Sequence, residues 1–274
     1  MSKVWFVTGS SRGFGRSFVE AALSRGDRVA ATARNLRSLD DLVTAYGDLV
    51  LTLEMDVKDT AAVRESVTRA KEHFGRLDVI VNNAGYALFG AVEELTEQDV
   101  RGLLETNLFG PLRVVQAVLP HLREQGSGHI IQISSTAGVA AFPLGGGYCA
   151  SKWALEGLSE SLAQEVAGFD IKVTIVEPGS YATGAPTIAV MSSSNLHYEA
   201  ARQAQAAYGK ALDFGDPAAA GQAMLEVADL PDPPLRVFFG KQNLPMIQQV
   251  YADRLKNWAD WLDLSAQAHA APSA

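Results

Sequence analysis

Tyr148 and Lys152 stand four residues apart, in the segment Tyr148-Cys149-Ala150-Ser151-Lys152. On a helix, this spacing brings both side chains to one face. A lysine ammonium beside a phenol favours the phenolate, so we expect the pKa of Tyr148 to lie below its ordinary value of about 10. Such a phenol can give a proton to a carbonyl or take one from an alcohol. A plain surface contact between the two residues is the alternative.

A glycine-rich turn lies near the start of the chain, in Thr8-Gly9-Ser10-Ser11-Arg12-Gly13-Phe14-Gly15. Its three glycines permit a tight turn, close approach of the backbone to a pyrophosphate and close helix–strand packing. The N-terminus of the following helix would then face the anion. Gly-Ser-rich loops also join strands to helices without binding anything. The position of this turn, after a strand pattern and before a helix pattern, is what favours phosphate binding.

The choice of dinucleotide depends on the end of the second predicted strand. An acidic residue there, roughly 20 residues past the glycines, binds the ribose 2′-hydroxyl of NAD in Rossmann proteins. Here the strand ends in Ala31-Thr32-Ala33-Arg34-Asn35, which contains no acid. Arg34 can pair with a 2′-phosphate, and Arg12 lies in the glycine turn itself. We therefore predict NADP(H) in preference to NAD(H), with Arg34 as an ordinary solvated charge as the alternative.

Alternating strands and helices must position these segments. Short apolar runs that suit parallel strands buried on both faces lie at 4–7, 28–31, 50–53, 79–81, 129–133 and 173–176. Amphipathic stretches typical of helices lie at 15–25, 36–46, 60–74, 97–125 and 148–167. This alternation predicts repeated βαβ units and hence an α/β fold, a Rossmann-type doubly wound parallel sheet flanked by helices.

The chain is predicted to form one dinucleotide-binding domain over residues 1–274, because no linker divides it before residue 180. Residues 180–215 are rich in Ala, Ser and Tyr without a clear period, which indicates a helical lid inserted over the substrate. A helix beginning at Asp216-Pro217, a last strand over 235–239 and an extra C-terminal helix within 241–265 follow. The tail 266–274 is expected to be frayed.

The composition argues against several classes of function. The 274 residues include 31 acidic and 23 basic ones, and the resulting charge of −8 disfavours nucleic-acid binding. A single cysteine cannot form an internal disulfide, and no apolar stretch suits a signal peptide or membrane span, so we expect a cytoplasmic protein without a membrane partner. The five histidines lack metal-ligand spacing, and we expect neither a metal site nor a catalytic thiol at Cys149.

Two further segments, Asn82-Asn83-Ala84-Gly85 and Ser134-Ser135, complete a set of motifs that resembles the classical short-chain dehydrogenase/reductase family. The resemblance covers about residues 3–185 and consists of the TGxxxGxG turn, the NNAG segment and a serine 13 residues before YxxxK. It implies an NAD(P)-dependent oxidoreductase in which Tyr148 transfers the proton. It further implies that Lys152 holds the nicotinamide ribose and that Ser135 binds the substrate oxygen, since Ser134 fits the spacing one residue worse.

The same resemblance implies the residues that contact the cofactor. Asp56 and Val57 match the adenine contact, although an Asp before a helix is more often an N-cap. Pro178, Gly179 and Thr183 match a segment that holds the nicotinamide carboxamide. The full set of cofactor contacts is Gly9, Ser11, Arg12, Gly13, Phe14, Gly15, Arg34, Asp56, Val57, Asn83, Ala84, Gly85, Tyr148, Lys152, Pro178, Gly179 and Thr183.

Asn107 matches the fourth catalytic residue of the family, whose backbone carbonyl binds a water of the proton relay. Pro111 lies four residues later and has no N–H, so the usual helical hydrogen bond to the Asn107 carbonyl cannot form. An unpaired carbonyl inside a buried helix favours a bound water. A simple kink in which Asn107 caps itself is the alternative.

Apolar residues dominate the segments expected around the substrate. They are Leu88, Phe89, Ala140-Ala141-Phe142-Pro143-Leu144 and, in the lid, Tyr181, Pro186, Met191, Leu196, Tyr198, Tyr208 and Phe214. Such a pocket favours a small hydrophobic ketone or aldehyde and its alcohol, as in a carbonyl reductase or secondary alcohol dehydrogenase. The alternative is that these side chains only pack the lid.

The segment 31–37 and the long C-terminal region are distantly similar to the steroid and retinol dehydrogenase branch. The resemblance implies a homodimer or homotetramer, with helices 97–125 and 148–167 as the dimer interface, although the extra C-terminal helix puts the tetramer in doubt. A non-catalytic dinucleotide-binding sensor or scaffold is the alternative function. An epimerase or dehydratase of the extended branch is disfavoured, because the turn has a different glycine spacing.

Overall fold

The computed structural model describes residues 2–183, 190–191 and 195–269. Its strands are β1 (Val4–Val7), β2 (Arg28–Ala33), β3 (Val50–Glu54), β4 (Val79–Asn82), β5 (Leu88–Phe89), β6 (Gly128–Ile133), β7 (Ile171–Pro178), β8 (Val190–Met191) and β9 (Arg236–Phe239). Its helices are α1 (Gly13–Ser24), α2 (Asp40–Tyr46), α3 (Thr60–Phe74), α4 (Glu97–Leu104), α5 (Gly110–Gln125), α6 (Gly146–Val166), α7 (Glu199–Lys210), α8 (Pro217–Asp229), α9 (Leu244–Asp260) and α10 (Leu262–Ala268).

One parallel sheet of seven strands, in the order β3-β2-β1-β4-β6-β7-β9, forms the centre of the described residues. The order reverses between β1 and β4, and a reversal of this kind opens a ligand crevice at the carboxyl ends of the strands. Strand β1 is buried along its whole length, as a central strand covered on both faces must be.

Helices cover both faces of this sheet. Phe18 of α1 and Met224 of α8 pack into one apolar core. Val67 of α3, Val118 of α5 and Leu162 of α6 pack into the core on the opposite face. The predicted doubly wound α/β fold is therefore confirmed.

The single helix predicted over 97–125 is wrong in its middle. Helix α4 ends at Leu104, a π-helical segment spans Glu105–Phe109, and α5 begins at Gly110. Pro111 has no N–H to donate back along the helix. The Gly110 N–H bonds to the Glu105 carbonyl instead, and the helix widens at this point by one residue.

Two short strands outside the main sheet are not predicted from the sequence. Strands β5 and β8 pair in parallel, with Phe89 opposite Met191. A two-residue strand is too short to show an alternating pattern. The pair joins residues 88–89, in the segment after β4, to residues 190–191 of the lid.

The described part of the lid contains the short strand β8 and then a 3-10 turn over Leu196–Tyr198 that leads into α7, so the predicted helical lid is helical only in part. Residues 184–189 and 192–194 of the predicted lid, including Pro186, lie outside the described residues. After the lid, the Asp216 carboxylate accepts a hydrogen bond of 2.9 Å from the Ala218 N–H. Asp216 thus caps α8, as the Asp216-Pro217 pattern predicts.

The predicted C-terminal helix is divided into α9 and α10, which meet at Trp261. Helix α10 continues to Ala268, so residues 266–268 of the predicted frayed tail are helical, and residues 270–274 lie outside the described residues. Among the helices described, none is both long and apolar enough to cross a membrane.

Candidate active site

The glycine turn lies at the carboxyl end of β1 and packs against the segment that follows β4. Gly9 and Gly13 adopt positive φ angles of 70° and 58°, which favour glycine. A Cβ atom on Gly15 would lie 2.3 Å from the Gly9 carbonyl oxygen and 2.4 Å from Asn83 Nδ2. The turn itself therefore requires glycine at these three positions.

Asn83 and Ala84 hold the turn in place. Their backbone N–H groups donate to the Thr8 hydroxyl at 2.9 and 3.0 Å. The Asn83 amide group donates to the carbonyls of Thr8 and Gly9 at 2.9 and 3.1 Å. The Asn83 side chain, together with Thr8, thus positions the glycine turn. The sequence motif alone does not reveal this structural role of Asn83.

The N-terminus of α1 offers backbone donors to an anion. In the described part of the chain, no side chain caps this helix, and its first turn holds no acidic residue. Free N–H groups and the partial positive charge of a helix N-terminus fit a phosphate group. Ser11 and Arg12 are exposed beside it. The Phe14 ring packs inward against Phe18 and Tyr181, at centroid distances of 5.6 and 4.8 Å, which leaves the Phe14 backbone for a ligand.

The segment after β7 reaches the same crevice. The Gly179 N–H donates to the Phe239 carbonyl at 2.9 Å, and this bond fixes the direction in which the chain leaves Pro178. A Cβ atom on Gly13 would lie 3.2 Å from the Thr183 carbonyl oxygen. The structure therefore brings the predicted nicotinamide segment against the glycine turn.

One exposed arginine, Arg34, follows the end of β2, and a second, Arg12, lies in the glycine turn. Strand β2 ends at Ala33, followed by Arg34, and the Ser10 N–H donates to the Thr32 carbonyl at 2.9 Å. This bond joins the glycine turn, which contains Arg12, to the strand that Arg34 follows.

Asp56 and Val57 follow β3, as the adenine prediction requires. The Asp56 carboxylate accepts from the Lys58 N–H at 3.0 Å. Helix α3 is capped by Asp59, which accepts from the N–H groups of Ala61 and Ala62. The alternative in which Asp56 is the N-cap is therefore wrong.

Ser135 and Tyr148 are in contact across the crevice. The Ser135 hydroxyl accepts from the Ala137 N–H at 3.1 Å and lies near enough to the Tyr148 hydroxyl to lower the pKa of that phenol. Ser134 is buried beside Glu156 on the opposite side of the backbone. Of the two serines, Ser135 is the one that the structure places at Tyr148.

The expected low pKa of Tyr148 is wrong. Burial raises the pKa of Tyr148 above its ordinary value, and the neighbouring Ser135 hydroxyl offsets only part of this effect. Lys152 is also buried, and burial lowers its pKa to about 8. Its Nζ donates to the Ile133 carbonyl at 2.8 Å and lies 5.9 Å from the centre of the Tyr148 ring. The cost of desolvation thus outweighs the attraction between ammonium and phenolate.

Asn107 lies in the π-helical segment and is buried. Its Oδ1 accepts from the Tyr86 N–H at 3.1 Å, and its Nδ2 donates to the Tyr86 carbonyl at 2.9 Å and to Ser151 Oγ at 3.1 Å. The alternative in which Asn107 caps itself is therefore wrong. A Cβ atom on Gly85 would lie 3.0 Å from Asn107 Oδ1. These contacts tie the π-helical segment to α6 directly beside Lys152.

Aromatic rings surround Tyr148 on the side of β5. The Phe89 ring lies 6.3 Å from the Tyr148 ring and 6.4 Å from the Phe142 ring, between centroids. Other residues of the predicted substrate pocket contact different parts of the chain or are exposed to solvent. Tyr181 packs in the core, the Tyr198 hydroxyl donates to Glu93 at 2.6 Å, and Leu196 is 85% exposed.

Sequence reasoning missed Glu156, whose buried carboxylate lies one helical turn beyond Lys152. Its signal in the sequence is an acidic residue that shares a helix face with Lys152, at the spacing i,i+4. Its partner Arg236 comes from β9, and no spacing along the chain connects the two.

Comparison with known proteins supports one family. The family model described as short chain dehydrogenase matches residues 3–223. The oxidoreductase BOA17 of Botryotinia fuckeliana is 40% identical over 250 residues, which cover 88% of this chain and 89% of that protein. The 3-ketodihydrosphingosine reductase of Bacteroides thetaiotaomicron is 34% identical, with 93% of each chain covered.

Solved structures agree with this assignment. A short-chain dehydrogenase from Streptomyces avermitilis has a TM-score of 0.91 at 40% identity, covering 97% of this chain and 98% of that one. An alcohol dehydrogenase from Thermococcus sibiricus, solved with 5-hydroxy-NADP, has a TM-score of 0.72 at 26% identity, covering 87% and 96%. The chain belongs to the short-chain dehydrogenase family and is an oxidoreductase of that family.

Proposed function

We propose that this protein is an NADP(H)-dependent oxidoreductase that interconverts a hydrophobic ketone or aldehyde and its alcohol, with Tyr148 as general acid and base. The closeness of the Ser135 and Tyr148 hydroxyls carries the proposal. It brings a proton donor and a second hydroxyl within reach of the same substrate oxygen. A structural tyrosine would not need a partner of this kind at the carboxyl end of β6.

Each residue then has a defined task. Tyr148 gives its proton to the carbonyl oxygen during reduction and takes a proton back during oxidation. Ser135 orients that oxygen by donating a hydrogen bond. Lys152 binds the ribose hydroxyls of the cofactor, and the carbonyl of Asn107 holds a water on the path of the proton. The nicotinamide supplies or accepts the hydride when it is bound.

The residues of the crevice fit the cofactor in separate parts. The pyrophosphate would lie on the backbone of the glycine turn, for which the absence of side chains at Gly9, Gly13 and Gly15 leaves room. Arg12 and Arg34 would hold the 2′-phosphate. The 5-hydroxy-NADP bound to the Thermococcus sibiricus alcohol dehydrogenase supports a dinucleotide with that phosphate.

A hydrophobic substrate is favoured by the rings beside Tyr148. Phe89 and Phe142 present apolar surface there and no charge that would bind an anionic substrate. The name of the Bacteroides thetaiotaomicron relative, a 3-ketodihydrosphingosine reductase, supports a ketone as the oxidised substrate. A sensor or scaffold without activity is not favoured, because Ser135, Tyr148 and Lys152 are all present and adjoin one another.

The direct test is consumption of NADPH and of NADH by the purified protein with a panel of aliphatic, aryl and polycyclic ketones. Sugar phosphates serve as charged control substrates. We expect turnover of hydrophobic ketones, faster with NADPH at low cofactor concentration. Turnover of none of these ketones with either cofactor would contradict the proposed reaction, and a preference for NADH would contradict the role of Arg34.

A further inference from the structure

A buried cluster of charged residues lies on the side of α6 that faces β7 and β9. Glu156 is 4% exposed and Lys152 is 6% exposed, one helical turn before it. Arg236, the first residue of β9, forms an ion pair with the Glu156 carboxylate. Arg236 also lies 2.7 Å from a carboxylate oxygen of Glu160 and 3.4 Å from one of Glu177.

The chain packs closely around the Glu156 carboxylate. A Cβ atom on Gly138 would lie 2.7 Å from Glu156 Oε1 and 2.5 Å from Ser134 Oγ. Gly138 ends the short turn that begins after Ser135. The turn that presents Ser135 to Tyr148 therefore also packs against Glu156, behind the catalytic face.

The ionisable groups around Lys152 and Glu156 come from three elements. Helix α6 contributes Tyr148, Glu156 and the half-exposed Glu160, strand β7 contributes Glu177, and β9 contributes Arg236. Burial raises the pKa of Glu177 to about 7, and the neighbouring Glu156 adds to this effect. Glu177 therefore carries only part of a charge near neutral pH. Burial raises the pKa of Glu156 as well, and the nearby charges of Arg236 and Lys152 oppose this rise.

We propose that Glu156 is a positioning residue that keeps Lys152 in its charged ammonium form, and that Arg236 fixes the Glu156 carboxylate for this task. The inference rests on the proposed function only in that Lys152 must be charged to act. Burial alone disfavours an ammonium ion, and a buried carboxylate one turn away opposes that cost. Arg236 in turn prevents Glu156 from neutralising itself by taking up a proton, because a paired guanidinium stabilises the carboxylate.

The test is an NMR titration of lysines labelled with ¹³C at Cε, in the full-length protein. The chain has eight lysines, and the signal missing from Lys152→Arg identifies Lys152. We expect Lys152 to titrate at about 8 in the unmodified protein. In Glu156→Gln, which keeps the shape and removes the charge, its midpoint should move down by about one pH unit or more. Glu160→Gln, which removes the solvent-facing partner of the same Arg236, should leave the midpoint nearly unchanged.

An unchanged midpoint in Glu156→Gln would overturn the inference. If that variant does not fold, as judged by circular dichroism, Glu156→Asp replaces it. This substitution withdraws the carboxylate by one methylene and should shift the midpoint down by a smaller amount, and no shift would again overturn the inference.

Activity supplies a second readout that separates positioning from plain structural damage. In Glu156→Gln, the fall in carbonyl reduction at high pH should begin at lower pH, whereas damage to the fold would lower the rate equally at every pH. The titration needs no turnover, so it decides the inference even if the proposed reaction is wrong. Conversely, the unmodified protein could reduce ketones with NADPH while the Lys152 midpoint stays unchanged in Glu156→Gln. That result would support the proposed function and overturn this inference.

Discussion

Tyr148 and Lys152 respond to burial in opposite directions. Burial raises the pKa of the phenol and lowers that of the ammonium, because each group is driven toward its neutral form. Tyr148 therefore keeps its proton at neutral pH and is ready to donate it. Lys152 keeps its charge only below about pH 8. Under the proposed function, these protonation states favour carbonyl reduction near neutral pH.

The rate of carbonyl reduction should consequently fall as the pH rises through about 8. Lys152 is protonated below this value and neutral above it, so the contribution of its charge is present at low pH and lost at high pH. The measurement is kcat with saturating NADPH across that pH range. Any residual activity of Lys152→Arg should lack this fall, because arginine keeps its charge. A rate for the unmodified protein that stays constant well above pH 8 would contradict the assignment.

Arg34 should set the preference for NADPH. One bidentate contact between arginine and phosphate is worth about 1.5–3 kcal/mol, so Arg34→Ala should weaken NADPH binding by about 10–100-fold and leave NADH nearly unaffected. Arg37→Ala, three residues further along the same exposed segment, is the matched control and should change neither affinity. Equal affinities of the unmodified protein for NADPH and NADH, measured by calorimetry, would show that the arginine does not discriminate.

The contact between α1 and the segment after β4 depends on glycine at one position. Gly15→Ala would place a Cβ atom against the Gly9 carbonyl and the Asn83 amide. We expect it to lower the free energy of unfolding by about 1–3 kcal/mol, as overpacking does. Gly157→Ala is a matched control within α6, because its Cβ would meet nothing within 4 Å.

Urea denaturation of both glycine variants provides the comparison. Gly157→Ala should raise the free energy of unfolding by about 0.5–1 kcal/mol through helix propensity alone. If Gly15→Ala were equally stabilised, the turn would not be packed as the structure has it.

The longer elements follow from the sequence because burial on both faces, or on one helical face, leaves a periodic pattern. Helix α3, predicted over 60–74, has these same bounds in the structure. The π-helical segment at Asn107 could be anticipated only in part. Pro111 reveals that a backbone donor is missing, but the side-chain hydrogen bonds that fix Asn107 involve Tyr86 and Ser151, which are distant in sequence. The pairing of β5 with β8 depends wholly on such tertiary contact.

Some site residues are likewise revealed by the sequence, and others are not. Motifs along the chain indicate Ser135, Tyr148 and Lys152, because each motif reflects local geometry at the end of a strand or on a helix face. The pKa of Tyr148 could not be predicted, since it depends on how densely the folded chain surrounds the hydroxyl. Arg236 could not be found either, because it reaches Glu156 only once β9 joins the sheet.

Exposed apolar residues mark two surfaces of the whole molecule. Phe109 on the π-helical segment and Trp153 on α6 are 43% and 42% exposed, and Leu255 and Trp258 on α9 are 62% and 67% exposed. Trp153 borders both surfaces, because the Arg254 guanidinium of α9 lies 4.8 Å from the centre of its ring. Apolar surface of this kind is typical of contacts between protein chains. We propose that the first surface, with helices α4, α5 and α6, forms a homodimer.

Light scattering should accordingly report a dimer for the unmodified protein and a monomer for Phe109→Glu, because a carboxylate in the centre of the interface would be buried without a partner. Leu255→Glu places the same charge on α9 and should leave the dimer intact. Dissociation by Leu255→Glu alone would assign the interface to the C-terminal helices instead.

The central claim concerns the proton that Tyr148 donates, and Tyr148→Phe tests it most directly. The substitution keeps the ring and its contact with Phe89 but removes the hydroxyl that lies beside Ser135. With the best ketone of the panel and saturating NADPH, kcat should fall by about 10²–10⁴-fold, the usual cost of a lost general acid, while NADPH binding measured by fluorescence stays unchanged. A variant that retains more than about a tenth of the original kcat would contradict the account.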